Sequence, residues 1–250
     1  MLLKGNGICG GRVSGNVLKM PADGVTWSTS VPDCIPVLCG RCDASLAGRA
    51  ISTFATRPEV LNAFILCSPD AGAEKVFSSP DITAVSSFDH ALFLDGDRVI
   101  VDGERGTVEI ENVVEKFVVN CVVMEKDRML ILKRSDRVDS FQGKWSSVTG
   151  YVEEGETPVQ TAFKELREEL SVPAPVLLKR GKPVSTRKGG IAWISHPFLF
   201  AVGEDTEVKI DWEHTDYRWI DIGELGDYET VPGLAGNLLS LGITPDASTK

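Results

Sequence analysis

Short apolar runs broken by glycine and proline fill the first part of the chain. RVSGNVLKM (residues 12–20), IPVLC (35–39) and DRVIVDG (97–103) each hold enough aliphatic or β-branched residues for a strand, and RPEVLNAFIL (57–66) reads as a helix passing into a strand. This part is therefore expected to be β-rich with little helix. The rest alternates differently: strands over Phe117–Met124, Met129–Lys133, Val176–Arg180, Ala192–Val202 and Tyr217–Asp221, a helix over Pro158–Leu170, and a closing helix within VPGLAGNLLSLG (231–242). Strands and helices mixed in this order predict an α/β domain. The turn signals DGD and DGERG close the first set of strands before a new β-branched run begins at Val113, which predicts two domains, residues 1–112 and 113–250. There is no internal repeat.

Composition narrows the class. Hydrophobic residues are 42% and charged residues 25% of the 250, the balance of an ordinary globular protein. The opening MLLKGNGICGGRVSG is too short in apolar residues and too rich in glycine for a signal peptide, so a cytoplasmic location is expected. Both halves are acidic, and the net charge of -10 repels nucleic-acid polymers and anionic membranes alike. A phosphate-bearing substrate would need local cations or a metal ion to offset that field. Five of six cysteines lie before residue 70. Cys34-x4-Cys39-x2-Cys42 with Cys67 has iron–sulfur-like or half-zinc spacing, but Ile35–Leu38 between them reads as strand, which favours reduced thiols in a cytosolic protein.

The most informative stretch is GYVEEGETPVQTAFKELREELSV, residues 150–172, with six glutamates. Pro158 suits a first helical turn. Val159, Ala162, Phe163, Leu166 and Leu170 fall on one apolar arc that would pack on a sheet. Glu169 is displaced from Glu165 by about 40° and Glu168 by about 60° the other way, so the three form a stripe on the opposite side. Such a stripe is either a solvated face or a site for a hard cation, because carboxylates without His or Cys are what Mg2+ and Mn2+ prefer.

Here the spacing decides. The stretch resembles the Nudix hydrolase signature G-x5-E-x7-R-E-U-x-E-E-x-G-U, where U is aliphatic: Gly150, Glu156, Glu165, Leu166, Glu168, Glu169 and Val172 fall in register, seven of nine fixed positions. Lys164 stands where the family has Arg, and Ser171 where it has Gly. Two strands, a glycine loop and then a helix are the matching context. The resemblance implies an α/β/α sandwich with a mixed sheet over residues 113–250, and Mg2+- or Mn2+-dependent cleavage of a nucleoside diphosphate linked to another moiety, of the ADP-ribose, dinucleoside polyphosphate or nucleoside triphosphate class. By position it implies that Glu165, Glu168 and Glu169 ligate metal or its waters, with the Gly150 carbonyl as a further ligand, and that Glu156 pairs with Lys164 to pin the loop to the helix. Lysine makes that pair as a point charge where arginine makes a fork, so the brace is expected to be looser.

Cations placed where charge develops on the breaking pyrophosphate favour the transition state, and a metal lowers the pKa of water that serves as nucleophile. A general base is expected from a later loop. KIDWEHTDYRWIDI offers Asp211, Glu213, His214 and Asp216, of which Glu213 is favoured for its place in a charged loop just before a strand. Arg134, Arg137 and Lys144 could grip phosphate and Trp145 could stack a base, although Trp145 is equally a candidate core residue. Arg187, Lys188 and Trp193 add to this set; His196 reads as structural. The rival function is a non-catalytic nucleotide sensor that signals through the first domain, kept open by Lys164.

In the first domain, LDGDRVIVDGERGTVEI (94–110) resembles the closing strands of the swivelling β/β/α phosphohistidine domain of phosphoenolpyruvate-utilising enzymes. The relay histidine of those domains has no counterpart here, since the only histidine before residue 113 is His90, which reads as structural. The resemblance therefore implies a lid, a dimerisation surface that would make a homodimer, or a partner platform rather than phosphotransfer.

Overall fold

The computed structural model describes residues 1–20, 32–55, 57, 60–204 and 206–245. The chain divides into two compact units, Met1–Val114 with Arg187–Ala192, and Glu115–Thr186 with Trp193–Lys250.

The first unit holds strands β1 (Leu2–Lys4), β2 (Asn6–Cys9), β3 (Arg12–Met20) and β4 (Cys34–Cys42), helix α1 (Ala44–Phe54), β5 (Ala63–Pro69), helix α2 (Ala71–Phe77), β6 (Thr83–Ser86), β7 (Arg98–Asp102) and β8 (Thr107–Ile110). They form one sheet in the order β1-β8-β7-β3-β4-β5-β6-β2. Strands β3 to β6 run parallel, and β7, β8, β1 and β2 are antiparallel additions. Each helix starts on an aspartate cap: Asp43 accepts the Leu46 N–H and Asp70 accepts the Ala73 N–H. The expectation of little helix needs correcting. Residues 44–54 are helical although alanine, glycine and serine dilute the apolar arc, which buries Leu46, Ala47, Ala50 and Phe54. Among the described residues of the stretch 57–66, none is helical where a helix was expected at its start. The preceding helix ends at Phe54, Val60 makes an isolated bridge to Cys34, and positions 58 and 59 lie outside the described residues. Cys34, Cys39 and Cys42 stand on one continuous strand, as the aliphatic residues between them predicted. His90 begins a 3-10 turn with its ring half-exposed, so it packs no core.

The second unit is built from β9 (Val114–Glu125), β10 (Arg128–Arg134), β11 (Trp145–Ser146), β12 (Val148–Tyr151), helix α3 (Pro158–Leu170), β13 (Val176–Arg180), β14 (Val184–Lys188), β15 (Ile191–Ala201), β16 (His214–Asp221) and helix α4 (Leu234–Ser240), apart from the first residue of β9, the last two of β14 and the first two of β15, which group with the first unit. Its sheet runs β11-β10-β9-β15-β13, with β12 added to β9, β14 to β15 and β16 to β10. Alternation along β9 covers both faces. Val119, Cys121 and Val123 pack with Ala162, Leu166 and Leu170 of α3, while Val122 packs with Leu234 and Leu238 of α4. Helix α3 has the bounds its periodicity gave, held by a capping box between Thr157 and Gln160 with Pro158 in the first turn. Strands β11, β12 and β14 were not foreseen, because short segments rich in Ser, Thr and Gly carry little strand signal. Among the described residues no helix is long and apolar enough to cross a membrane.

Candidate active site

Gly150 lies on β12, not in a loop, paired with Val119 of β9. Its lack of a side chain is a matter of space: a Cβ there would stand 2.2 Å from the Glu165 carboxyl group. The glycine strand and the glutamate of α3 therefore interlock. From within the helix, the Lys164 ammonium reaches back to the loop ahead of it, 3.0 and 3.3 Å from the two oxygens of Glu156 and 3.5 Å from Glu153. Thr161, buried and not singled out by the sequence, donates its hydroxyl to Glu156 at 2.8 Å. Lysine thus spans both oxygens of its partner, and threonine adds a bond. These contacts hold the Glu156 carboxyl below, and the Lys164 ammonium above, its ordinary pKa.

The stripe of α3 is not uniformly solvated. Glu168 is exposed and Glu165 half-buried, but Glu169 is only 4% exposed, and its Oε2 has no hydrogen-bond partner. Burial first, and then the neighbouring Glu168, push Glu165 up to about 7, against the opposing pull of Lys164. Glu169 is pushed well above the usual carboxylate range by burial and by Glu165, Glu213 and Asp211, opposed by a hydrogen bond from the Thr149 main chain. The segment after β15 runs against this end of α3, and the His214 ring that follows it faces the Glu169 carboxyl group. The Lys209 N–H bonds to the Leu170 carbonyl and the Asp211 N–H to the Glu169 carbonyl, laying the chain across the end of α3.

That segment also carries the loop candidates. Glu213 is partly buried and raised in pKa by burial and by Asp211, with Arg134 opposing. The Asp211 carboxylate accepts the Glu213 N–H at 3.0 Å and lies 3.3 Å from His214 Nδ1. The other ring nitrogen of His214 faces Glu169 Oε2 at 3.7 Å, and the ring is almost wholly buried. Burial lowers the His214 pKa despite Asp211. Asp216 turns elsewhere, accepting the Tyr217 N–H and standing 3.7 Å from Arg218.

Of the expected phosphate and base contacts, Arg134 lies beside Glu213 and His214 and donates Nε to the Ser140 carbonyl at 3.0 Å. The Arg137 guanidinium lies 5.1 Å from the Trp212 ring centroid, over a largely exposed indole. The others are engaged elsewhere. Lys144 pairs with Glu229 at 2.8 Å, and Trp145 is a core residue, packed edge-on against Tyr228 and clustered with Leu234 and Leu238 of α4. Arg187 is bonded to Asp97 and to the Leu92 carbonyl. His196 stacks on Phe117, ring centroids 6.3 Å apart, and burial lowers its pKa.

The carboxylates gathered at the end of α3 offer oxygens, the donors a hard divalent cation takes, with the His214 ring beside them. Among the described residues no three His, Cys, Asp or Glu side chains converge closely enough to hold an ion as they are placed. A cation nevertheless fits. It would offset the like charges of half-buried Glu165 and buried Glu169 and supply the partner that Glu169 Oε2 lacks.

A glycine strand, a braced loop and a carboxylate helix beside a later acidic loop define the class of metal-dependent pyrophosphohydrolases. The NUDIX domain family model matches residues 115–239, half of the 250-residue chain, and the protein belongs to that family of hydrolases. Dihydroneopterin triphosphate diphosphatase of Escherichia coli (strain K12) is 49% identical over 113 aligned positions, covering 38% of this chain and 69% of that protein. RNA pyrophosphohydrolase of Pelagibacter ubique (strain HTCC1062) is 26% identical over 125, covering 44% and 78%. Among solved structures, the MutT protein from Methanosarcina mazei Go1 is similar at a TM-score of 0.43 and 23% identity, over 49% of this chain and 88% of that one.

Proposed function

We propose that residues 113–250 hydrolyse the pyrophosphate bond of a small nucleoside or nucleoside-like polyphosphate with Mg2+ as the resident cation, and that Glu165, Glu168 and Glu169 hold it. The observation that carries this reading is the Glu169 carboxylate, buried among like charges with an unpartnered oxygen, an arrangement with no structural purpose in a solvated helix face. When bound, the cation would acidify a coordinated water and offset charge on the leaving oxygens. The chain's own residues do the rest. Glu213, raised in pKa and partly withdrawn from water, takes the proton of the attacking water. Arg134, beside it, and Arg137 hold phosphate oxygens, and the exposed Trp212 under Arg137 offers a face for a ring to stack on. Lys164, Glu156 and Thr161 fix the loop that joins β12, where Gly150 meets Glu165, to α3.

The names of the relatives point to a pterin triphosphate in one case and to RNA in the other. The net charge of -10 favours the small molecule. The first unit, with its parallel strands β3 to β6 flanked by antiparallel ones, supports a swivelling-type domain of residues 1–112 that serves as lid, platform or dimer surface.

The test compares Glu169→Gln and Glu168→Gln with the parent on dihydroneopterin triphosphate, ADP-ribose, dinucleoside polyphosphates and nucleoside triphosphates. Turnover should fall by at least about 100-fold in both, while metal-free stability holds or rises. Near-parental turnover would refute the mechanism.

A further inference from the structure

Two contacts tie the later segment to the end of α3, and a third within that segment closes a ring. The Asp211 N–H bonds to the Glu169 carbonyl at 3.1 Å. The Asp211 carboxylate meets His214 Nδ1 at 3.3 Å, and His214 Nε2 faces Glu169 Oε2 at 3.7 Å. The imidazole and the Glu169 carboxyl group are both buried to better than nine-tenths, so water is a poor alternative partner for either. An oxygen buried without a bond is rare in a folded protein. The polar atom aimed at this one is His214 Nε2, a few tenths of an ångström beyond hydrogen-bond distance.

We propose that His214, clamped by Asp211, is the positioning residue for Glu169, holding its carboxyl group in the orientation that meets the cation. The inference rests on the metal site proposed above and adds a residue to it that touches neither cation nor substrate. Carboxylate ligands work at full affinity only when their own orientation is fixed by outer partners. Helix α3 fixes the Glu169 backbone but leaves three side-chain torsions to be set. The buried ring sets them from one side and the Thr149 main chain from the other. Because Asp211 also accepts the Glu213 N–H, the same clamp couples the ligand to the base.

The test is Mn2+ binding followed by electron paramagnetic resonance, on the full chain below the melting temperature of every variant. His214→Gln places an amide nitrogen where Nε2 stands and should bind Mn2+ within about threefold of the parent, whereas His214→Leu should bind about 10- to 100-fold more weakly. Should His214→Leu fail to fold, His214→Asn replaces it, since its amide reaches Asp211 but not Glu169, and it should show the same loss. In a Glu169→Gln background the His214 substitutions should change affinity little further, the non-additivity expected of one coupled unit. Parent-like affinity in His214→Leu or His214→Asn, or an undiminished loss in the Glu169→Gln background, would overturn the positioning role while leaving the metal site standing. A parent that binds no Mn2+ would overturn both.

Discussion

At Gly150 the substitution that tests the site is the smallest one available. Alanine would put a methyl group 2.2 Å from the Glu165 carboxyl, so either β12 or the glutamate must shift. Gly150→Ala should keep the fold, since the residue lies on a strand, and lower turnover by at least about tenfold, the scale of a displaced catalytic group. A kinetic assay beside a circular dichroism melt checks this. Glu165 gives a second prediction, through linkage. Its folded pKa is about 7 against an ordinary 4.5, so between those values the native state holds a proton that the unfolded chain has lost. Stability from this group therefore falls as pH rises through that window. His214 and His196 are shifted down and act in the opposite sense, so the parent's melting curve alone would mix them. The difference between Glu165→Gln and the parent isolates the glutamate. In metal chelator, Glu165→Gln should exceed the parent in stability at pH 8 and approach it at pH 5; an advantage that shrinks as pH rises would contradict the assignment.

Helix α3 ends on a compromise. Ser171 takes the left-handed conformation, φ 55° and ψ 25°, while the Val172 N–H reaches back to the Leu166 carbonyl. Glycine adopts that conformation at no steric cost, whereas other residues lose about 1 kcal/mol or more. Ser171→Gly should therefore raise stability by up to about 1 kcal/mol in a denaturant titration with turnover unchanged, less whatever the freer unfolded chain recovers. The departure at Lys164 is milder than a point charge implied, because the ammonium touches both Glu156 oxygens and Thr161 supplies another bond. What was legible here, and what was not, follows the range of the contacts. The bounds of α3, its apolar arc and the register of its glutamates are local, and residues 150–172 encode them. The surroundings of Glu169 are not local: the later segment bonds across the helix end and brings His214 against its carboxyl group, which no periodicity within the helix records. Lys144 and Trp145 mislead for the same reason. A cation beside an aromatic reads as a ligand grip until Glu229 and α4 are brought against them.

At the scale of the molecule, the carboxylates, the braced loop and the later acidic loop all belong to the unit of Glu115–Thr186 with Trp193–Lys250, while Arg187–Ala192 group with Met1–Val114. Within that first unit the Arg187 guanidinium meets Asp97 at 2.7 Å and the Leu92 carbonyl at 2.9 Å, with the Arg187 side chain 3% and the Asp97 side chain 12% exposed. A fragment of residues 113–250 keeps the arginine and loses both partners. Removing one member of a buried pair strands the other charge and costs roughly 3–5 kcal/mol, although a fragment that lets Arg187 reach water escapes part of that cost. The fragment should therefore fold, melt below the parent and hydrolyse its substrate, because no candidate catalytic residue lies before Arg134. Asp97→Ala in the full chain separates the two effects. It removes the partner without shortening the protein, so it should cost roughly 3–5 kcal/mol in denaturant titration and leave kcat unchanged. An active Asp97→Ala protein beside an inactive but folded fragment would show that residues 1–112 contribute to catalysis itself, and the site assigned to the second unit would then be incomplete.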